Sequence, residues 1–140
     1  MCGIFAAVNN TCVTGSLIEV LQALSYRGYD SAGIAVMGSK GIERRRAQGK
    51  LENLTKVLGK SPLSGVAGIA HTRWATDGAA TKSNAHPHMT AQVAVAYNGI
   101  IENYQLLRDD LEKEGYNFKS DTDSDSEAIP ILLTHYLEKA

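Results

Sequence analysis

Met1-Cys2-Gly3-Ile4-Phe5-Ala6-Ala7-Val8 opens the chain. Gly3 to Val8 is a short apolar, β-prone run bounded by Asn9 and Asn10, and a run of that length predicts a buried strand rather than a helix. Cys2 then stands at a strand start. Removal of Met1 would place a thiol and a free α-amine on one residue. An α-amine with a pKa of about 7.7–8.0 is about a quarter to a third neutral near pH 7.5, whereas a lysine near 10.4 is almost fully protonated. The terminal amine can therefore serve its own thiol as base, as it does for amino-terminal threonine nucleophiles. Against this stands the commoner fate of a free cysteine, burial as a small apolar residue. Cys12 is read in that second way.

Outward from this strand, Ser16 and Glu19 make a capping-box pattern, and Leu17, Val20, Leu21 and Leu24 repeat at helical spacing until Gly28. Ala32 to Met37 predicts a second strand, Gly38 to Gly41 a hairpin turn, and Ile42 to Gln48 an antiparallel return strand. Its Arg44 to Arg46 run is read as a solvated strand edge. Leu51, Leu54, Val57 and Leu58 form a helical stripe ended by Gly59 and Ser61-Pro62, and Val66 to Thr72 follows as a strand. Arg73 to Ala91 is a long polar stretch, a candidate functional loop. Gln92 to Tyr97 predicts another strand, Asn98-Gly99 a turn, and Asn103 the cap of a helix closed by Gly115. A last helix covers roughly Ser126 to Glu138, with Thr122, Ser124 and Ser126 all open as caps and Pro130 in its first turn.

The 140 residues carry 14 Lys plus Arg against 15 Asp plus Glu and are 44% hydrophobic, which fits one globular unit and leaves no cationic excess for nucleic acid. No apolar run approaches the roughly 20 residues of a membrane span, and no signal-type amino terminus is present. The expected location is cytoplasmic, with no membrane and no nucleic-acid partner. Two cysteines are too few for a zinc site, and Cys2 and Cys12 lack the Cys-x-x-Cys spacing of a redox pair. His71, His86 and His88 lack carboxylate or cysteine ligands at suitable spacing, so they are read as structural or loop residues, with no metal and no cofactor expected.

Five segments occur in order: Met1-Cys2-Gly3-Ile4, Tyr26-Arg27-Gly28-Tyr29-Asp30-Ser31-Ala32-Gly33, His71-Thr72-Arg73-Trp74-Ala75-Thr76, Asn84-Ala85-His86-Pro87-His88 and Asn98-Gly99-Ile100-Ile101-Glu102-Asn103. Together they resemble the amino-terminal glutaminase domain of the glucosamine-6-phosphate synthases, type II glutamine amidotransferases within the amino-terminal-nucleophile hydrolases. The resemblance covers essentially the whole chain. It implies an α+β fold, the four-layer αββα sandwich, and a reaction in which Cys2 attacks the carboxamide of glutamine and supplies ammonia for conversion of fructose-6-phosphate to glucosamine-6-phosphate. It also implies a sugar-phosphate isomerase domain as partner and a homo-oligomer when full length.

Residue roles follow from the same resemblance. Arg73, whose planar fork suits a carboxylate, is expected on the α-carboxylate of glutamine. Trp74 and Thr76 are expected to shape the substrate site. Asn98 and Gly99 offer a carboxamide NH₂ and an unhindered backbone N–H, the donors of an oxyanion hole. The substrate ammonium is expected on Asp125, favoured slightly by the Asp-x-Glu helix entry, or on Asp123, which counting from Asn98 selects. Arg27 is expected to support Cys2. Two features depart from the family: Asp77 stands where its members usually carry His, and 140 residues fall short of the full sandwich. Residues 1–140 are thus expected to be a glutaminase domain truncated at its carboxy-terminal end. A catalytically silent fragment that acts only as a binding module is the competing reading.

Overall fold

The computed structural model describes residues 2–74, 79–120 and 125–140; nothing is described of the Arg27 side chain. Four strands, β1 (Gly3–Val8), β2 (Ser31–Gly38), β3 (Gly41–Gln48) and β4 (Ala67–Arg73), form an antiparallel sheet in the order β1-β4-β2-β3. The hairpin between β2 and β3 turns where the sequence predicts, with Gly38 opposite Gly41.

Strand alternation divides the sheet into two chemically different faces. On one, Phe5, Ala7, Ala32, Ile34, Val36, Ala47 and Ala70 meet α1 (Thr14–Leu24) and α2 (Leu51–Lys60), whose Leu17, Leu21, Leu51 and Leu54 close the core. Helix α1 lies close to the sheet, since a Cβ on Gly68 would come within 2.8 Å of Leu17 and one on Gly3 within 2.9 Å of Leu24. The expected capping box does not start α1. The helix begins at Thr14, after Val13 donates its N–H to Gly65 (2.9 Å) and as the Thr14 hydroxyl donates to the Leu63 carbonyl (2.9 Å). Tertiary hydrogen bonds to the segment before β4 fix that end and outweigh the local pattern. Helix α2 runs past Gly59 to Lys60 and stops at Ser61-Pro62, the break that the sequence predicts.

The opposite face is laid out by register in three rows: Ile4, His71, Gly33 and Arg46; Ala6, Ile69, Ala35 and Arg44; Val8, Ala67, Met37 and Ile42. The last two rows are apolar apart from Arg44, and Val8 (84% exposed) and Met37 (50%) are open to solvent. The first row is covered by residues 83–88. Here Arg46 Nη1 donates to the carbonyls of Ala85 (2.7 Å) and Ser83 (3.2 Å), and Arg44 Nη1 to that of Pro87 (3.1 Å). Arg44 and Arg46 are therefore not the solvated edge that their run suggests, because a loop 37 to 43 residues away in sequence folds over them. His71 stacks on His86 (centroids 4.2 Å apart, 23° between planes), and His88 meets His86 edge-on at 4.7 Å.

This polar layer is neutral where it is histidine and charged where it is arginine. Burial holds the His71 imidazole down to about 4, and burial with Arg46 and Arg44 nearby holds His88 down to about 3. His86 is pushed below both by burial, with His71 and His88 beside it. Arg46 is lowered to about 10, by burial and then by Arg44, and so stays charged at neutral pH.

Beyond the loop, β5 (His88–Met89) pairs with β6 (Ala94–Val95), a shorter strand than the sequence suggests. Helices α3 (Tyr104–Lys113) and α4 (Ala128–Lys139) follow and pack on each other. Gly115 closes α3 with φ +95°, and the Thr90 and Thr134 hydroxyls, 2.6 Å apart, tie α4 to the small sheet. The Glu127 carboxylate, at the entry to α4, accepts the N–H groups of Lys119 (2.9 Å) and Ser120 (2.6 Å).

Two measurements test this architecture. A Cβ on Gly33 would overlap the His86 carbonyl oxygen, whereas one on Gly59 meets open space. Gly33→Ala is expected to destabilise the chain in urea by about 1–3 kcal/mol, and Gly59→Ala to stabilise it by up to about 1 kcal/mol; equal effects would contradict the close approach of the loop. The three histidines have lowered pKa values when folded, so their contribution to stability is fully present above the unfolded value of about 6.5 and is lost as pH falls toward and through each folded value, about 4 for His71 and lower for His88 and His86. For His71 the loss is on the order of 3 kcal/mol. Imidazole resonances of all three are expected to stay in the neutral form from pH 8 to pH 5 in NMR, and titration of any one near 6.5 would contradict the buried layer.

Candidate active site

Pairing of Gly3 with Thr72 sets Cys2 opposite Arg73 at the end of the sheet, on the same face as Ile4 and His71. The half-buried Cys2 Sγ accepts the backbone N–H of Trp74 at 3.2 Å. Arg73 is 5% exposed, its carbonyl accepts the Asp30 N–H (2.7 Å), and its Nη1 donates to the Ala79 carbonyl (3.0 Å). Its guanidinium thus enters the site already anchored. The half-exposed Trp74 ring lies over Gly28, where φ is +76° and a Cβ would stand 2.6 Å from Cζ3. Glycine is required there by backbone and by contact. Gly28 is in this way the floor under Trp74.

Asn98 and Gly99 reach the same cavity from the far end of the long loop and β6. Asn98 Nδ2 donates to the Cys2 carbonyl at 3.1 Å, and its Oδ1 lies 3.2 Å from His71 Nε2. A side chain on Gly99 would meet the Tyr97 hydroxyl, which would have to give way. Asp125 completes the ring from the segment before α4. It is 6% exposed, and its carboxylate accepts the Ile101 N–H (2.8 Å) and the Ser126 hydroxyl (3.1 Å). A carboxylate has about four acceptor positions, so capacity remains for a cation in the cavity.

One cavity therefore gathers Cys2, Arg73, Trp74, Asn98, Gly99 and Asp125 from four separate stretches of chain. Thr76, Asp77 and Asp123 lie outside the described residues, as does the side chain of Arg27. His86 and Ser126 also line the cavity, and His71 stands directly behind Asn98. The sequence reading left these three without a site role. A signal for His71 was present: it lies two residues before Arg73 on one strand and so on the same face. Among the described residues no group of three or more His, Cys, Asp or Glu could hold a metal ion, and no helix is long and apolar enough to cross a membrane.

Known proteins are similar to this chain in sequence and in fold. The family model of a glutamine amidotransferase domain matches residues 71–140. Curated relatives named glutamine–fructose-6-phosphate aminotransferase [isomerizing] include one from Rhizobium meliloti, 53% identical over 136 residues, covering 97% of this chain and 22% of the relative. One from Brucella abortus is 52% identical over 139 residues, covering 99% and 23%. One from Zymomonas mobilis is 51% identical over 138 residues, covering 99% and 22%. The chain thus spans under a quarter of the length of these relatives. Among solved structures, the glutamine phosphoribosylpyrophosphate amidotransferase of B. subtilis superposes with a TM-score of 0.76 at 24% identity, over 96% of this chain and 29% of its own. A second, described as the allosteric regulatory enzyme of purine biosynthesis, gives 0.73 at 25% identity over 100% and 30%. Both carry the fold, which is the α+β arrangement of the amino-terminal-nucleophile hydrolase type. With the model match across its second half and the cavity built around Cys2, Arg73 and Asn98, the chain belongs to the glutamine amidotransferase domain family.

Proposed function

We propose that the chain hydrolyses glutamine to glutamate and ammonia at Cys2, as the glutaminase portion of a longer enzyme. The observation that carries this reading is the convergence of a thiol, an amide donor, a buried cation and a buried carboxylate on one cavity. An α-amino acid presents one carboxylate and one ammonium, which Arg73 and Asp125 match by charge. Its carboxamide end then falls to Cys2, with the Trp74 N–H on the sulfur and Asn98 and Gly99 beside it.

With Met1 removed, the Cys2 α-amine takes the thiol proton and the sulfur attacks the side-chain carbonyl carbon of glutamine. The tetrahedral oxyanion is stabilised by the Asn98 NH₂ and the Gly99 N–H. Collapse breaks the C–N bond, the α-ammonium returns its proton to the leaving nitrogen, and ammonia departs. Water then cleaves the thioester, restoring the thiol and releasing glutamate. In a protein of the relatives' length, the ammonia passes to a sugar-phosphate isomerase domain in the remainder of the chain.

Glutamate release by the purified chain tests the reading. Cys2→Ala is expected to abolish it, as is any uncleaved extension ahead of Cys2, and a full rate with either would overturn the mechanism. Asn98→Ala is expected to lower kcat by about 10²–10³, the usual cost of about 2.7–4 kcal/mol for one oxyanion donor; a defect in KM alone would make Asn98 a binding residue. Asp125→Asn is expected to raise KM for glutamine at least about tenfold, since a hydrogen bond to a charged group is worth about 1.5–3 kcal/mol. Asp123→Asn should leave KM within about threefold of its starting value, a free-energy change of less than about 0.7 kcal/mol, and the reverse pattern would assign the ammonium to Asp123.

A further inference from the structure

Asn98 has one carboxamide with which to satisfy two neighbours. The Cys2 carbonyl lies 3.1 Å from Nδ2, and His71 Nε2 lies 3.2 Å from Oδ1. Turned over, the amide would set its oxygen against the Cys2 carbonyl oxygen, two acceptors with no proton between them. The Cys2 carbonyl therefore selects the orientation with NH₂ toward the nucleophile. That orientation in turn leaves the Asn98 oxygen in need of a donor. A neutral imidazole has a single N–H, so His71 meets the need only as the Nε2–H tautomer.

The ring that supplies this N–H is itself immobilised. His71 is fully buried and stacks on His86, whose Nδ1 accepts the Tyr97 N–H at 3.4 Å. One stacked pair thus holds the Asn98 side chain through His71 and the backbone just before it through His86. Arg46, on the Ala85 and Ser83 carbonyls, keeps His86 in place from the other side.

We propose that His71, as its Nε2–H tautomer, is the positioning residue that locks the Asn98 carboxamide with NH₂ toward Cys2, one N–H on the Cys2 carbonyl and the other left for the oxyanion. The catalytic consequence rests on the glutaminase reading above. Without the His71 donor, the Asn98 oxygen loses its protein partner, and a flipped amide becomes accessible. A flipped amide presents an acceptor to the oxyanion where a donor is required. The α-carboxylate and α-ammonium contacts are untouched, so the loss falls on kcat rather than on KM.

The experiment combines kinetics with ¹⁵N-histidine NMR on the 140-residue chain. His71→Leu is expected to lower kcat by up to about 10²-fold, approaching Asn98→Ala, with KM changed by less than about threefold. In an Asn98→Ala background the same substitution should cost less than about threefold, because the group it positions is gone. His71→Gln, whose side-chain NH₂ reaches the same place, should recover part of the rate lost in His71→Leu. Full multiplicative losses in the double variant, or no recovery with Gln, would make His71 merely structural and overturn the proposal. The NMR arm is independent of turnover. Unsubstituted protein should show His71 protonated at Nε2 and not at Nδ1, and the Asn98 side-chain NH₂ resonances should shift in His71→Leu. The opposite tautomer overturns the proposal whatever the activity. A chain that hydrolyses no glutamine, yet shows the Nε2–H tautomer and the Asn98 shift, sinks the glutaminase reading and leaves the positioning contact standing.

Discussion

The register between β1 and β4 is the constraint on which the site depends. With Gly3 opposite Thr72, Cys2 falls beside Arg73 and shares a face with His71. A slip of one residue would turn every side chain of β1 over, sending Cys2 to the helical side and Phe5 and Ala7 out of the core. Two independent features resist that slip. Phe5 and Ala7 pack with the Leu17 and Leu21 cluster, and the Gly3 N–H donates to the Thr72 hydroxyl at 3.1 Å. Apolar burial on one face thereby sets the chemistry on the other.

That chemistry rests on a polar layer that an ordinary core would not contain. Arg44 and Arg46 bind the backbone of residues 83–88, and three neutral histidines fill the space between that segment and the sheet. Buried cations cost desolvation free energy, which carbonyl hydrogen bonds and the nearby Glu127 charge offset in part. The layer holds the loop, and the loop holds Tyr97 and Asn98 against Cys2. Gly33 is the point at which this stacking leaves no space for a side chain. Sheet, loop and Asn98 form one mechanical sequence, running from β3 to the cavity.

Much of this was legible in the sequence where the signal is local. The apolar run Gly3–Val8 and the turn between Met37 and Ile42 depend on neighbours a few residues away, and the structure forms a strand at each, although β1 is an edge strand with Ile4 and Val8 exposed rather than the buried strand expected. Cys2, Arg73, Asn98, Gly99 and Asp125 could be named because motif wording fixes their residue types, and the cavity brings these five together. What failed depends on distant chain. Ser16 and Glu19 offer a good helix start, but hydrogen bonds to Leu63 and Gly65 move it to Thr14. Arg44 and Arg46 alternate outward on an edge strand, and only the fold reveals that the outward side is roofed. His71, His86 and His88 are legible only as structural or loop residues, because their stacking depends on residues 83–88 folding over β4.

The central claim is that Cys2 is the acylated nucleophile, and acid-quenched mass spectrometry of the chain mixed with glutamine tests it most directly. The account predicts a transient gain of one glutamyl group that peptide mapping assigns to Cys2 and that hydroxylamine removes, as befits a thioester. Glutamate accumulating with no adduct at Cys2, or with the adduct on Cys12, would contradict it.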